Sequence, residues 1–574
     1  LDHSILSHFI SWVSSNHHQP QSIQNSNRSS CHLNLQSLFD STSRLVDIKR
    51  PHELYPDSRR FKRQIHLHIG PTNSGKTYAG LRALHGAHTG VYAGPLRLLA
   101  HEVFSRFNQG KISDDLPARQ CNLLTGEEQR IVGQSVGLTS CTVEMISTKQ
   151  FYDVVVIDEI QMISDRQRGD AWTQAFLGVQ SKQIHLCGEE SVLELIRDLT
   201  DSCGDQLILH RYNRLTPLKV SDSSLAGDLT RLRPGDCLVT FSRQNIYSLR
   251  RSIQSVTDLR VGIAYGALPP EVREKEAQMF NIGSDPSEQD AYDVLVGSDA
   301  IGMGLNLKIK RVIFESLHKY DGKSQIRLSS SQIKQIAGRA GRFGLHSKQH
   351  QPVKTKINTT TNSSNQTTLT NISVGEVLTL QESDMELLRS SMEEPIQPIR
   401  RATIKAPFST IEGLSRLLPD QTSYSTLLRL RRSLTITSPN FVIGDEQSAI
   451  EIADSVGSEG SLSLLEKDLF CNSPCNSRNL LLNSAIRAWA RKHGERGEVN
   501  LGEWLKLEEF TVKMKIRRLE SDQNEAIKRL ESIHKCLVLY LWLSFRLPES
   551  FRSFKECLDL KSQCEEVLSI GLKF

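Results

Sequence analysis

The most constraining stretch of this chain is Gln64-Ile-His-Leu-His-Ile-Gly70-Pro71-Thr72-Asn73-Ser74-Gly75-Lys76-Thr77. Ile65, Leu67 and Ile69 alternate with polar residues, the pattern of a strand, and that strand runs directly into Gly70. Residues 76–84 then hold mostly good helix formers and no proline. Strand, glycine loop and helix in that order form the setting a phosphate-cradling loop needs. The glycines let backbone N–H groups approach phosphate oxygens, and the helix adds its positive end. Gly70 to Thr77 are therefore expected to hold a triphosphate, with Lys76 on the β and γ phosphates and Thr77 a ligand to Mg²⁺.

A second apolar strand, Val154-Val-Val-Ile157, ends in Asp158-Glu159, and 158 − 76 = 82 residues separate this pair from Lys76. A carboxylate at a strand tip is expected to hold Mg²⁺, chiefly through water, which is the role assigned to Asp158. Glu159 is expected to orient and deprotonate the attacking water. Farther on, Gln335-Ile-Ala-Gly-Arg339-Ala-Gly-Arg342 supplies two guanidinium groups. Such groups stabilise charge developing on a transferred phosphoryl, so Arg339 and Arg342 are expected to act as arginine fingers. Gln335 is expected to hydrogen-bond the γ-phosphate or the water. Arginines from one lobe acting on phosphates held by another make hydrolysis depend on lobe closure. The combination describes an NTP-driven motor.

The surrounding sequence supports two lobes. Strand patterns at 91–94, 154–157, 184–187 and 207–210 alternate with helical ones such as 96–107, where Leu99, Val103 and Phe107 recur every four residues. A second series follows, with strands at 237–241, 260–264, 293–296 and 312–315 and helices near 244–254, 270–281 and 331–340. This alternation predicts an α/β fold of doubly wound, mainly parallel sheets. The expected division is a tail over 1–50, a first lobe over 51–215, a second over 216–395 and a helical C-terminal region over 396–574. The tail is rich in Ser, Asn, Gln and His with only Asp2 and Asp40 acidic, which fits disorder or the remnant of an organellar presequence. Residues 345–373 are dominated by Asn, Thr, Ser and Gln in their second half and predict a disordered insertion.

A length of 574 residues requires several domains. The net charge of +5 permits a basic groove for nucleic acid without placing one. Cys536–Leu543 is the longest apolar run and is far short of the ~20 residues that span a bilayer, so no membrane association is expected. Eleven scattered cysteines suit a reducing compartment, and Cys471 and Cys475 read as two free thiols in a loop.

In this order the motifs resemble those of superfamily-two helicases, built from two tandem RecA-like lobes. The variant box Asp158-Glu-Ile-Gln161 resembles the Suv-three family, the RNA helicase of the mitochondrial degradosome. Further likeness lies in Ala93-Gly-Pro-Leu-Arg97, Leu124-Thr-Gly-Glu-Glu128, Cys141-Thr-Val-Glu-Met145 and Leu186-Cys-Gly-Glu189. It continues in Phe241-Ser-Arg243, Tyr265-Gly-Ala-Leu-Pro-Pro270, Ser298-Asp-Ala-Ile-Gly-Met-Gly-Leu-Asn306 and Leu539-Tyr-Leu-Trp-Leu-Ser-Phe545. The resemblance implies a catalytic role for Gln161. It also implies that Arg97, Thr125 and Thr142 grip one nucleic-acid strand from the first lobe, and Ser242, Tyr265, Ser298 and Asp299 from the second. Asp299 and Gly302 would couple that grip to the nucleotide. The resemblance further implies ATP-dependent 3′-to-5′ unwinding of RNA, a mitochondrial matrix location and an exoribonuclease partner. From the residues alone, a DNA or RNA–DNA hybrid helicase and a nucleotide-gated RNA-binding scaffold with weak turnover remain open.

Overall fold

The computed structural model describes residues 45–572 apart from 134, 284–290, 303, 321–323, 342–373, 457–461, 496 and 505–522. The insertion expected over 345–373 therefore lies outside the described residues.

The first lobe is an eight-stranded sheet ordered β4-β3-β5-β2-β6-β7-β1-β8. Its strands are β1 (Gln64–Ile69), β2 (Gly90–Gly94), β3 (Asn122–Leu124), β4 (Gln129–Arg130), β5 (Leu138–Thr142), β6 (Phe151–Ile157), β7 (Gln180–Gly188) and β8 (Gln206–Arg211). All pairs are parallel except β3 with β4. Helices α1 (Lys76–Gly86) and α2 (Arg97–Asn108) follow β1 and β2, and α3 (Gly169–Gly178) and α4 (Leu193–Cys203) flank β7. Ile65, Leu67 and Ile69 pack with Trp172, Phe176, Leu195 and Leu199 in one layer. Val154 and Val156 pack with Leu81, Leu84, Val103 and Phe107 in the other. Covering both faces explains why the central strands read as unbroken apolar runs.

The second lobe is a six-stranded parallel sheet ordered β11-β12-β10-β13-β16-β9. Its strands are β9 (Leu218–Val220), β10 (Asp236–Val239), β11 (Val261–Ala264), β12 (Val294–Gly297), β13 (Arg311–Phe314) and β16 (Gly375–Thr379), with a hairpin of β14 (His318–Tyr320) and β15 (Gln325–Arg327). Its helices are α5 (Arg243–Val256), α6 (Pro270–Ile282), α7 (Ser330–Ala337) and α8 (Met385–Glu393). Four of these strands match the sequence expectation. β9 and β16 were not expected, because segments of three or five residues carry too little periodicity to stand out.

The region after 396 is mostly helical: α9 (Phe408–Leu417), α10 (Tyr424–Leu434), α11 (Gln447–Val456), α12 (Leu464–Cys471), α13 (Leu480–Gly494), α14 (Leu501–Trp504), α15 (Gln523–Ser544) and α16 (Phe554–Gly571). It also contains a short parallel pair, β17 (Ala402–Ile404) with β18 (Phe441–Ile443). Ala402, Ile404 and Phe441 bury into the first lobe's core, so this region begins as an extension of that lobe.

Two expectations are corrected. The tail expected over 1–50 does not run that far: Val46 and Ile48 are buried, and Ile48 N–H donates to the Ile436 carbonyl at 3.0 Å. Two apolar side chains and paired backbone offset the entropy of ordering these few residues. Cys471 closes α12 rather than standing in a loop, whereas Cys475 lies in the loop that follows; both are buried, and burial pushes each thiol up to about 12. The ten described cysteines are all free. No helix among the described residues is long and apolar enough to cross a membrane.

Candidate functional site

β1 lies between β7 and β8, and β6 lies beyond β7, so the loop after β1 and the acids after β6 emerge at the same carboxyl edge. Ligands of open α/β sheets bind at that edge. Gly70 N–H donates to the Gly188 carbonyl at 3.2 Å, and a Cβ on Gly70 would come within 2.6 Å of the Tyr212 carbonyl oxygen. Only glycine fits there. Asn73 (φ 61°) and Gly75 (φ 78°) turn the loop through the left-handed region. Asn73 Nδ2 is anchored on Thr216 Oγ1 at 2.9 Å.

Lys76 and Ser74 are buried. Lys76 Nζ donates to the carbonyls of Gly70 (3.1 Å) and Pro71 (3.3 Å), curled into its own loop. Ser74 Oγ is buried with no hydrogen-bond partner. A buried ammonium and an unsatisfied hydroxyl in a glycine loop suit an incoming oxyanion. Thr77 Oγ1 donates to Asp158 Oδ1 at 3.2 Å. This pair of hard oxygen donors fits a magnesium ion bridging to phosphate.

Asp158 is buried and also accepts from Tyr92 Oη at 3.0 Å, while its carbonyl accepts from Trp172 Nε1 at 3.0 Å. Burial, reinforced by the neighbouring Glu159 charge and opposed by Lys76, pushes its carboxyl up to about 6. Glu159 has φ 50°, a left-handed conformation that strains a residue with a Cβ by about 1–2 kcal/mol. Gln161 Nε2 donates to Glu159 Oε2, and Gln161 Oε1 accepts from Glu189 N–H at 3.2 Å. Gln161 thus fixes the direction of the Glu159 carboxylate.

The second lobe meets this loop directly. A Cβ on Gly338 would lie 1.8 Å from Thr72 Oγ1. Arg214 stitches the contact: Nη1 donates to the carbonyls of Thr72 (3.1 Å) and Gly338 (2.8 Å), and Nη2 to that of Ala340. Ser331 Oγ donates to Glu189 Oε2 at 3.3 Å, a further bond between the lobes. Arg214 and Glu189 were not assigned roles from sequence. Arg214 stands in a connecting loop with no motif around it, so nothing local could have flagged it.

Gln335 is partly exposed on α7. Arg339 departs from its expected place: its guanidinium is buried and donates to the Gly302 carbonyl within its own lobe. It therefore ties the arginine segment to the Gly302 loop of its own lobe. Arg342 lies outside the described residues.

The expected nucleic-acid contacts are only partly open. Thr125 and Thr142 are buried, and Thr125 Oγ1 accepts from Glu128 N–H at 3.1 Å to close its turn. Ser242 caps α5 through Asn245 N–H, and Ser298 accepts from Ala300 N–H at 3.1 Å. Arg97 is paired with Glu127 and, at 2.8 Å, with Glu271 of the second lobe. Tyr265 is corrected as a direct strand contact: it is buried, with its hydroxyl bonded to Glu531 of α15 at 2.7 Å. Asp299 is the only one of the seven that is exposed.

Residues 51–212 match the family described as the DEXQ-box helicase domain of Suv3. Residues 223–344 match the helicase conserved C-terminal domain, and 527–574 the C-terminal domain of the ATP-dependent RNA helicase SUV3. The chain is 38% identical over 531 residues to the mitochondrial DExH-box ATP-dependent RNA helicase DExH16 of Arabidopsis thaliana, covering 92% of this chain and 83% of that protein. It is 36% identical to the mitochondrial ATP-dependent RNA helicase SUV3 of Saccharomyces cerevisiae, covering 91% of this chain and 66% of the relative. It is also 36% identical to the mitochondrial ATP-dependent RNA helicase SUPV3L1 of Homo sapiens, covering 93% of this chain and 63% of the relative.

Proposed function

Because the chain belongs to the Suv3 family of ATP-dependent RNA helicases, we propose that it translocates 3′ to 5′ along single-stranded RNA in the mitochondrial matrix and strips off the paired strand. ATP is the fuel. The observation that carries the reading is the seating of Gly338 on Thr72, which sets an arginine-bearing segment of one lobe against the triphosphate loop of the other.

ATP is taken up by the loop Gly70–Thr77, where Lys76 leaves its loop carbonyls for the β and γ phosphates and Ser74 gains the partner it lacks. Glu159, aimed by Gln161, orients water for attack on the γ-phosphorus and accepts its proton. The bond from that phosphorus to the bridging oxygen breaks, leaving ADP and phosphate. Arg342 and Gln335 act on the transferred group from the second lobe, and Arg339 holds their segment in place. Thr77 and Asp158 would hold Mg²⁺, which neutralises triphosphate charge when bound. Product release loosens the Thr72–Gly338 contact, and the lobes then part by a step along the strand.

Strand contacts from loops at 97, 125 and 142 in one lobe and 242 and 298–299 in the other are directed at backbone, so sequence preference is weak and salt dependence strong. The unwound product suits a partner that digests single strands, an exoribonuclease. Strand displacement on RNA with a 3′ or a 5′ overhang, set beside matched DNA, tests the reading. ATP-dependent unwinding from the 3′-overhang RNA is expected, and equal or greater activity on DNA would move the function to the DNA class. Lys76→Ala, Glu159→Gln and Arg342→Ala are each expected to drop RNA-stimulated ATPase to background.

A further inference from the structure

One helix of the C-terminal region touches the strand-gripping segments of both lobes. α15 has 22 residues, about 33 Å at the usual rise per residue. In its first half Glu531, 4% exposed, accepts hydrogen bonds from Tyr265 Oη at 2.7 Å and Arg243 Nη1 at 2.8 Å. Both donors belong to second-lobe segments that carry the helicase motifs. Just past the helix end, Arg546 Nη1 donates to the Gly126 carbonyl at 3.4 Å and the Trp542 carbonyl at 3.0 Å. Its guanidinium lies 3.7 Å from the Trp542 ring centre, and Nη2 faces Met145 Sδ at 3.8 Å. A Cβ on Gly126 would come 3.3 Å from Trp542 Cδ1, so the loop following Thr125 rests on the indole.

Between these ends a chain of polar and charged side chains joins all three regions. His534 of α15 pairs with Glu565 at 2.8 Å, and Lys561 bonds Glu565 (2.5 Å) and Glu271 (2.9 Å). Glu271 in turn accepts from Arg97 of the first lobe at 2.8 Å. A cavity of about 460 Å³ opens at this junction, with Arg97, Glu127, Glu271, Leu541 and Lys561 in its wall. A buried carboxylate held by two donors, one of them charged, is a stiff joint, and an α-helix transmits displacement along its axis.

We propose that α15 is a strut that sets the spacing between the two lobes' strand-gripping loops. Glu531 is the positioning residue at its second-lobe end and Arg546 at its first-lobe end. The inference rests on the reading that those loops hold RNA. When the second lobe moves, Tyr265 and Arg243 carry Glu531 with them, and the Trp542–Arg546 end shifts the Thr125–Gly126 turn. Tyr265 then serves the track through its protein partner Glu531 rather than by touching the strand in this conformation.

The test is a double-mutant cycle on the full chain. Glu531→Gln keeps an acceptor for Tyr265 and removes the charge facing Arg243; Arg546→Met keeps length and removes the bonds to Gly126. The readouts are affinity for a fluorescent single-stranded RNA with a non-hydrolysable ATP analogue, ATP turnover without RNA, and melting temperature. Each single variant is expected to bind RNA roughly tenfold more weakly, and the double variant no more weakly than the worse single, because a strut freed at one end sets no spacing. Turnover without RNA is expected to stay unchanged. Additive losses, unchanged RNA affinity, or a parallel fall in melting temperature and basal turnover would each overturn the proposal. The same cycle, read as nucleotide-dependent distance between dyes on the two lobes, separates the strut from the RNA reading. Non-additive distance changes support the strut even where RNA binding fails, and additive or absent changes refute it.

Discussion

Thr72 and Gly338, from opposite lobes, approach so closely that a Cβ on Gly338 would sit 1.8 Å from Thr72 Oγ1. Arg214 bonds the carbonyls of both residues. The triphosphate loop and the arginine segment are therefore registered through backbone, with no side chain of residue 338 between them. That contact has a sharp steric consequence.

Gly338→Ala inserts a methyl group where the Thr72 hydroxyl already stands and close to the Lys334 carbonyl, so Thr72 or the backbone must shift before the lobes can seat. The expected result is a fall in RNA-stimulated kcat of about tenfold or more, ~1.4 kcal/mol on the barrier. Isolated nucleotide binding to the first lobe should change little. Steady-state ATPase beside a fluorescent-nucleotide titration checks this, and normal kcat would mean that closure does not use this contact.

Arg214→Met removes the donors that tie Thr72, Gly338 and Ala340 while keeping a side chain of similar reach. Misplacing a catalytic segment by an ångström lowers rates by roughly a hundredfold. A drop of that order in kcat is expected, with RNA affinity largely kept. Arg214→Lys should rescue little, because an ammonium cannot serve several diverging carbonyls as a guanidinium does.

Asp158 gives a prediction about pH. Its carboxyl is raised to about 6 by burial and by Glu159, so the ionised form penalises the nucleotide-free fold. Protonation removes that penalty, which is absent at low pH and grows as pH rises through about 6. Asp158→Asn should therefore stabilise the nucleotide-free protein at pH 7.5 by roughly 1–3 kcal/mol and abolish ATPase. Melting curves at pH 7.5 and pH 4.5 check the sign: the gain should shrink at the lower value.

A group of histidines away from the reaction yields a second pH effect. His68 Nε2 meets His185 Nδ1 at 2.8 Å, His66 Nδ1 meets His210 Nε2 at 3.1 Å, and Tyr212 Oη meets His68 Nδ1 at 2.8 Å. Burial first, then the neighbouring imidazoles, lowers His68 and His185 to about 3. Groups lowered in the fold contribute stability above their ordinary range, near 6.5, which is lost as pH falls toward about 3. The first lobe should thus become progressively less stable below pH 6.5. His68→Asn should flatten that slope in melting temperature measured from pH 8 to pH 5.

The glycine loop and its setting were legible in sequence because they are covalently local. Gly70 to Thr77 must follow a strand and open a helix, and the alternation of Ile65, Leu67 and Ile69 announces that strand. Asp158 and Glu159 were legible for the same reason, standing at the tip of an apolar run. The central strands of both lobes also match expectation, because burial on two faces leaves a strong apolar signature. The short strands β9 and β16 did not stand out: β9 is three residues long and only partly buried, and β16, although buried, offers a run of just Val377 and Leu378.

The nucleic-acid residues show where local reading stops. Ser242 and Ser298 were recognisable as polar residues at motif positions, yet their hydroxyls close a helix cap and a turn. Tyr265 carried nothing in its neighbours to announce Glu531, which lies 266 residues away along the chain. Likewise Val46 and Ile48 gave no hint that they would pair with Ile436.

By itself the sequence determined the glycine loop between strand and helix, the paired acids at a strand tip, the two-lobe alternation and the family, since each is written in short local runs and in their order along the chain. Tertiary structure alone decided that Arg339 faces Gly302 inside its own lobe, that Arg214 joins the lobes, and that α15 reaches both of them. The physical reason is range. Backbone geometry and periodic burial are written in adjacent residues, whereas a guanidinium's partner is whichever carbonyl the completed fold brings within about 3 Å.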